Sequence, residues 1–211
     1  MNRHIPNILT GLRLALALLV FLALVIAGEG LPGVAAVTVR QNNELIVFAL
    51  VAFVVAAVTD FFDGWAARRF NATSVAGAIM DPIADKILVC GSLLGLLVLG
   101  AKAIAVPAGL ILFREFAVSA MREVLAPRGL TLPVTFLAKI KTTLQLVAIA
   151  AFLAVPIYAG WVNPTTLAGV EDIHRVMLFS YGLVWLAAAI TVWTGVEYGL
   201  AARRALAGKA A

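Results

Sequence analysis

Asp60, Asp63, Asp81 and Asp85 place four carboxylates inside a chain that is otherwise strongly apolar. The order is Asp60-x-x-Asp63-Gly64-x-x-Ala67-Arg68, eight residues, then Gly77-x-x-x-Asp81-x-x-x-Asp85. A charge at bilayer depth costs several kcal/mol and is retained where it has a task. Asp60 and Asp63 are three apart and Asp81 and Asp85 four apart, so on helices each pair shares a face. Four ionised groups brought together repel unless cations lie between them. Carboxylate oxygen suits hard divalent ions such as Mg2+ or Mn2+, and two such ions about 3.5–4 Å apart clamp the oxygens of an in-line phosphoryl displacement. One carboxylate can then serve as base for an attacking hydroxyl.

The alternative is that these residues cap helices. It suits Asp81, which precedes Pro82, because Pro is favoured in a first helical turn. It does not suit Asp60 and Asp63, which close an apolar stretch where a helix dipole disfavours anions. A cation transporter would also carry intramembrane carboxylates, but strung across the membrane and beside broken helices. Here they gather toward one side, with Arg68 and Arg69 next to them.

A second constellation is basic. Arg114, Glu115, Ser119, Arg122 and Glu123 fall in one apolar stretch, and Lys139, Lys141, Thr142, Thr143 and Gln145 open the next. Arginine reads phosphate through its planar fork, and lysine acts as a point charge. Arg114, whose partner is either Glu115 or a ligand phosphate, lies deepest. Near the start, Asn7 and Thr10 either cap the first helix or meet a nucleotide at the membrane face.

The elements that must position these residues are membrane helices. Of 211 residues, 63% are hydrophobic and 13% charged, and the mean hydropathy is +1.04, far from the balance of a soluble domain. The fold class is an all-α integral membrane protein, a single domain over residues 1–211. Its six expected spans are 7–27, 45–67, 75–99, 104–125, 134–158 and 176–202, each near the twenty apolar residues a crossing needs. The apolar stretch after Arg3 shows no clear small-x-small cleavage pattern and is read as an uncleaved first helix. Cys90 stands alone and is expected in the core. The net charge of +5 does not point to nucleic acid, because the basic residues flank the apolar runs. Arg3, Arg13, Arg68, Arg69, Arg122, Arg128, Lys139, Lys141, Arg203, Arg204 and Lys209 fall on one side, and only Arg40, Lys102 and Arg175 on the other. The crowded side is expected to be cytoplasmic. That puts both termini and the carboxylate site there, in the cell's inner (cytoplasmic) membrane.

The segment from Asp60 to Asp85 resembles the signature of the CDP-alcohol phosphatidyltransferases, with every position of that pattern filled. The resemblance extends over the whole chain and implies six spanning helices, two divalent metals, a CDP-linked lipid donor, release of CMP and a homodimer. Pro6 to Thr10 with Arg13, Arg114 to Glu123, and Lys139 to Gln145 resemble the members that join CDP-diacylglycerol to sn-glycerol 3-phosphate. Inositol phosphate is the alternative acceptor. On this resemblance Asp60, Asp63, Asp81 and Asp85 bind the metals, and Asp85 is also the catalytic base. Gly64, Arg68 and Gly77 meet the cytidine diphosphate part of the donor, with Asn7 and Thr10 beside them. Arg114, Arg122, Lys139 and Lys141 hold the acceptor phosphate.

Overall fold

The computed structural model describes residues 5–29, 39–70, 75–130, 136–162 and 165–207, without the side chains of 5–8, 29, 39–41, 60–70, 75–79 and 81. Six long helices carry the chain: α1 (Ile5–Glu29), α2 (Val39–Phe70), α3 (Val75–Val98), α4 (Ala105–Leu125), α5 (Phe136–Trp161) and α6 (Leu167–Ala207). The described residues contain no strand. Among the described residues, five helices are long and apolar enough to cross a membrane: α1, α2, α4, α5 and α6. The protein is thus an all-helical, multi-pass membrane protein.

The helices overrun the apolar stretches, and the polar chemistry at their ends explains why. α6 begins at Leu167 rather than near Val176. The Thr166 hydroxyl accepts from the Gly169 amide at 3.1 Å, a side-chain cap of the first turn. Arg175 then pairs with Glu171 at 3.1 Å and Asp172 at 3.2 Å, one turn back, which supports an exposed helix that hydropathy alone does not register. α3 begins at Val75, six residues before Asp81. Asp81 and Pro82 are therefore interior to the helix, and the capping alternative for Asp81 is removed.

The chain divides into two compact units. The first contains α1, α2 and α3 with residues 149–161 of α5 and 167–180 of α6. Within it α1 lies against both α2 and α3. Ala17, Val20, Leu24 and Ala27 on α1, Ile46, Ala49, Phe53 and Ala56 on α2, and Val89, Leu93 and Leu96 on α3 are buried. Each set repeats at three and four residues, the stripe of a helix with one packed face. Cys90 is buried here, as expected of a small core residue.

The α1–α3 seam is close-packed through glycine. A Cβ on Gly95 would stand 2.8 Å from Leu24 Cδ1, and one on Gly28 would stand 2.7 Å from the Val98 carbonyl oxygen. Small residues of this kind let membrane helices approach backbone to backbone. The contacts ascend together, Leu24 with Gly95 and then Gly28 with Val98, so α1 and α3 run parallel and their N-terminal ends share one side. Parallel neighbours are what a chain gives when one helix, α2, returns between them.

The second unit holds α4, residues 136–148 of α5 and 181–207 of α6. The buried stripe of α4 runs Ala108, Ile111, Glu115, Val118 and Leu125. That of α6 runs Val184, Ala187, Ala188, Thr191, Thr194, Tyr198 and Ala202. On α5 it includes Lys141, Gln145 and Ala148. On α4 and α6 the polar members, Glu115, Thr191 and Thr194, lie between apolar ones, and on α5 Lys141 and Gln145 precede Ala148.

Candidate active site

α2 and α3 are helical across all four aspartates, so the pairings of Asp60 with Asp63 and of Asp81 with Asp85 keep their shared faces on the backbone. The side chains of Asn7, Asp60, Asp63, Gly64, Arg68, Gly77 and Asp81 lie outside the described residues, and with them the expected meeting of the two acidic rows. The donor set is all carboxylate oxygen, which fits a hard divalent cation and not a soft one.

Asp85 is the member whose side chain is described. Arg13 Nη1, from α1, donates to Asp85 Oδ1 at 3.1 Å. The Arg13 side chain is fully buried, whereas that of Asp85 is 42% exposed. The pair extends the parallel α1–α3 register by about three turns toward the N-terminal ends. Thr10, also buried, lies three residues before Arg13 on the same face. A charged hydrogen bond of this kind fixes a carboxylate in direction as well as place. The sequence offered one clue to it: Thr10, Arg13, Ala17 and Val20 form a single helical stripe, which makes Arg13 an inward residue.

The second unit carries a buried polar network centred on Glu115. Lys141 Nζ donates to Glu115 Oε1, Gln145 Nε2 donates to the same oxygen at 3.3 Å, and Arg114 Nη1 stands 3.5 Å from both carboxylate oxygens. Gln145 Nε2 also donates to the Thr191 hydroxyl at 2.9 Å. Arg114 Nη2 donates to the Thr194 hydroxyl at 3.0 Å. The two threonines return their protons to α6 carbonyls, Thr191 to Ala187 and Thr194 to Thr191. Buried ionic groups persist when most of their donors and acceptors are matched in this way. Gly195 makes room for the arginine: a Cβ there would stand 2.8 Å from Arg114 Cγ.

At the far end of this network lies Tyr198, itself buried. Its ring centre is 5.5 Å from the Arg114 guanidinium carbon and 5.4 Å from that of Arg122. Arg122 Nη2 donates to the tyrosine oxygen at 3.4 Å.

Of the basic residues singled out by sequence, Arg114, Arg122 and Lys141 are therefore drawn into one network. Lys139 is exposed while Lys141 is buried, because two positions on a helix turn by about 200°. Ser119, Thr142 and Thr143 bond to carbonyls one turn back, those of Glu115, Ala138 and Lys139. The role of Glu115 as a hub, and Thr191, Thr194 and Tyr198, escape a reading by charge and motif. Their signal is periodic: each falls on the buried stripe of its own helix.

The chain matches the family described as CDP-alcohol phosphatidyltransferase over residues 3–193. It is similar to proteins named CDP-diacylglycerol--glycerol-3-phosphate 3-phosphatidyltransferase. That of Cereibacter sphaeroides is 37% identical over 94% of this chain and 95% of its own. That of Rickettsia felis is 32% identical over 96% and 97%, and that of Escherichia coli K12 is 36% identical over 74% and 78%. With helical aspartates spaced as the chemistry requires and a match that runs through nearly the whole length, the chain belongs to the CDP-alcohol phosphatidyltransferases, and is an enzyme of the membrane.

Proposed function

We propose that the protein transfers the phosphatidyl group of CDP-diacylglycerol to sn-glycerol 3-phosphate, giving phosphatidylglycerophosphate and CMP for phospholipid synthesis. The observation that carries this reading is the complete Asp60-to-Asp85 pattern on a chain similar, along more than nine-tenths of its length, to relatives bearing the name of that reaction.

Asp60, Asp63, Asp81 and Asp85 would hold two divalent cations, Mg2+ or Mn2+, which when bound neutralise charge on the diphosphate and on the departing phosphate. Gly64, Arg68 and Gly77, with Asn7 and Thr10, bind the cytidine diphosphate, the glycines by permitting close approach. Arg114, Arg122, Lys139 and Lys141 bind the acceptor through its phosphate. Asp85, held in direction by Arg13, takes the proton from the acceptor hydroxyl. That oxygen bonds to the phosphorus carrying the diacylglycerol, the P–O bond of the diphosphate bridge breaks, and CMP leaves with the electron pair. Arg13 thereby joins the reaction as a positioning residue.

The same reading includes six spans, with α3 added to the five named above, both termini in the cytoplasm, the inner membrane as location, and a homodimer. The one-sided distribution of Lys and Arg supports the orientation. The test is purified protein given CDP-diacylglycerol, divalent metal and a panel of acceptors. CMP release with sn-glycerol 3-phosphate is expected. Release with inositol phosphate and none with glycerol 3-phosphate would overturn the choice of acceptor.

A further inference from the structure

The network of the second unit holds its cations by two different means. Glu115 takes Lys141 and one edge of Arg114 by charge. Arg122, which is exposed, is met instead by the face and hydroxyl of Tyr198. Arg114 and Arg122 are eight residues apart, about 12 Å along α4, yet both guanidinium carbons lie within 5.5 Å of one ring centre. Two like charges drawn to one place repel, and more strongly where water is scarce. Tyr198 is the group that meets both of them.

An aromatic ring does so in a way a carboxylate does not. Its face attracts a cation through the quadrupole of the π system but carries no net charge. A second anion at this position would neutralise the arginines and compete with a ligand for their N–H groups. A ring leaves both charges uncancelled. Among Arg114, Arg122, Lys141 and Glu115, three cations face one carboxylate, a surplus that suits a phosphate dianion. The hydroxyl of Tyr198 then gives Arg122 a direction.

We infer that Tyr198 is a positioning residue for acceptor binding, setting Arg114 and Arg122 for the acceptor's phosphate without quenching their charge. This rests on the reading of those arginines as acceptor ligands. Tyr198 acts through them and touches no reacting atom.

The experiment uses the full-length enzyme with CDP-diacylglycerol and sn-glycerol 3-phosphate, with KM for each substrate and kcat measured separately. Position 198 carries tyrosine, phenylalanine, and then phenylalanine with one, two and three ring fluorines, which drain the π face and keep its shape. Tyr198→Phe is expected to raise KM for glycerol 3-phosphate about threefold through the lost hydroxyl contact. Each fluorine is expected to raise it about twofold further, while KM for CDP-diacylglycerol and kcat move less than twofold. A purely structural role would not follow the fluorine count. Arg122→Ala is the companion variant. If it raises KM for glycerol 3-phosphate while the fluorine series stays flat, the role of Tyr198 is overturned and the acceptor reading stands. If Arg122→Ala itself leaves that KM unchanged, the acceptor reading fails, and this inference with it.

Discussion

Arg13 and Asp85, 72 residues apart, join α1 to α3 through a 3.1 Å hydrogen bond between Nη1 and Oδ1. The guanidinium is fully buried and the carboxylate is 42% exposed. The asymmetry bears on function: the exposed partner is the one proposed to receive a proton, and the buried partner holds it still. Asp85→Asn is expected to lower kcat by about 10²–10⁴ and to leave binding of CDP-diacylglycerol measurable. CMP release and donor binding, measured on the same preparation, decide it. Turnover near wild type would remove Asp85 as the base.

Arg13→Met keeps bulk and removes the charge. Asp85 is half open to water and can rehydrate, so the expected thermal destabilisation is small. The expected loss in kcat is about 10²-fold, the order that an ångström of misplacement brings. A variant that melts well below wild type and turns over normally when folded would show the pair to be structural only.

Glu115→Gln retains shape and removes the anion beneath Lys141 and Arg114. Stranding a buried cation costs about 3–5 kcal/mol, so the purified variant is expected to melt at a markedly lower temperature. Adding Lys141→Met removes the stranded charge and is expected to restore much of the loss. Equal and additive losses from the two changes in a double-mutant cycle would mean that the groups are not coupled.

Lys139 and Lys141 are expected to separate experimentally as they do on α5. Lys139→Ala, at an exposed site, should raise KM for glycerol 3-phosphate with KM for CDP-diacylglycerol and the melting temperature unmoved. Lys141→Ala should lower the melting temperature as well, since it leaves Glu115 unneutralised. If Lys139→Ala raises both KM values alike, it does not belong to the acceptor pocket.

Chelation tests the carboxylate set as a whole. EDTA is expected to abolish CMP release, and Mg2+ or Mn2+ to restore it, because four carboxylates cannot otherwise share one place. Undiminished turnover after exhaustive chelation would remove the metals from the reaction.

The fold was legible because apolar runs are long and their ends chemically marked. α4, expected over 104–125, is Ala105–Leu125. The early start of α6 was not legible, because Thr166, Glu171, Asp172 and Arg175 extend it by local hydrogen bonds and ion pairs that hydropathy counts against a helix. At the site, the aspartate spacing stood out because it breaks an apolar pattern. Arg13 did not, because its flank position already explained it as a topology signal, and its partner lies on another helix. Tyr198 is not marked by the sequence for a similar reason: its role lies in two guanidiniums on α4, and nothing in its own neighbourhood announces them. The difference between Lys139 and Lys141 was available from the helical period alone.

α6 contains 41 residues, about 60 Å of helix against a hydrocarbon layer of about 30 Å. Such a rod has roughly a bilayer's thickness to spare. Its ends, with Glu171, Asp172 and Arg175 at one and Arg203 and Arg204 at the other, reach polar medium whatever the acyl length of the surrounding lipid. Hydrophobic mismatch, which taxes a span cut to fit one thickness, therefore bears lightly on this helix as the lipid composition around it changes.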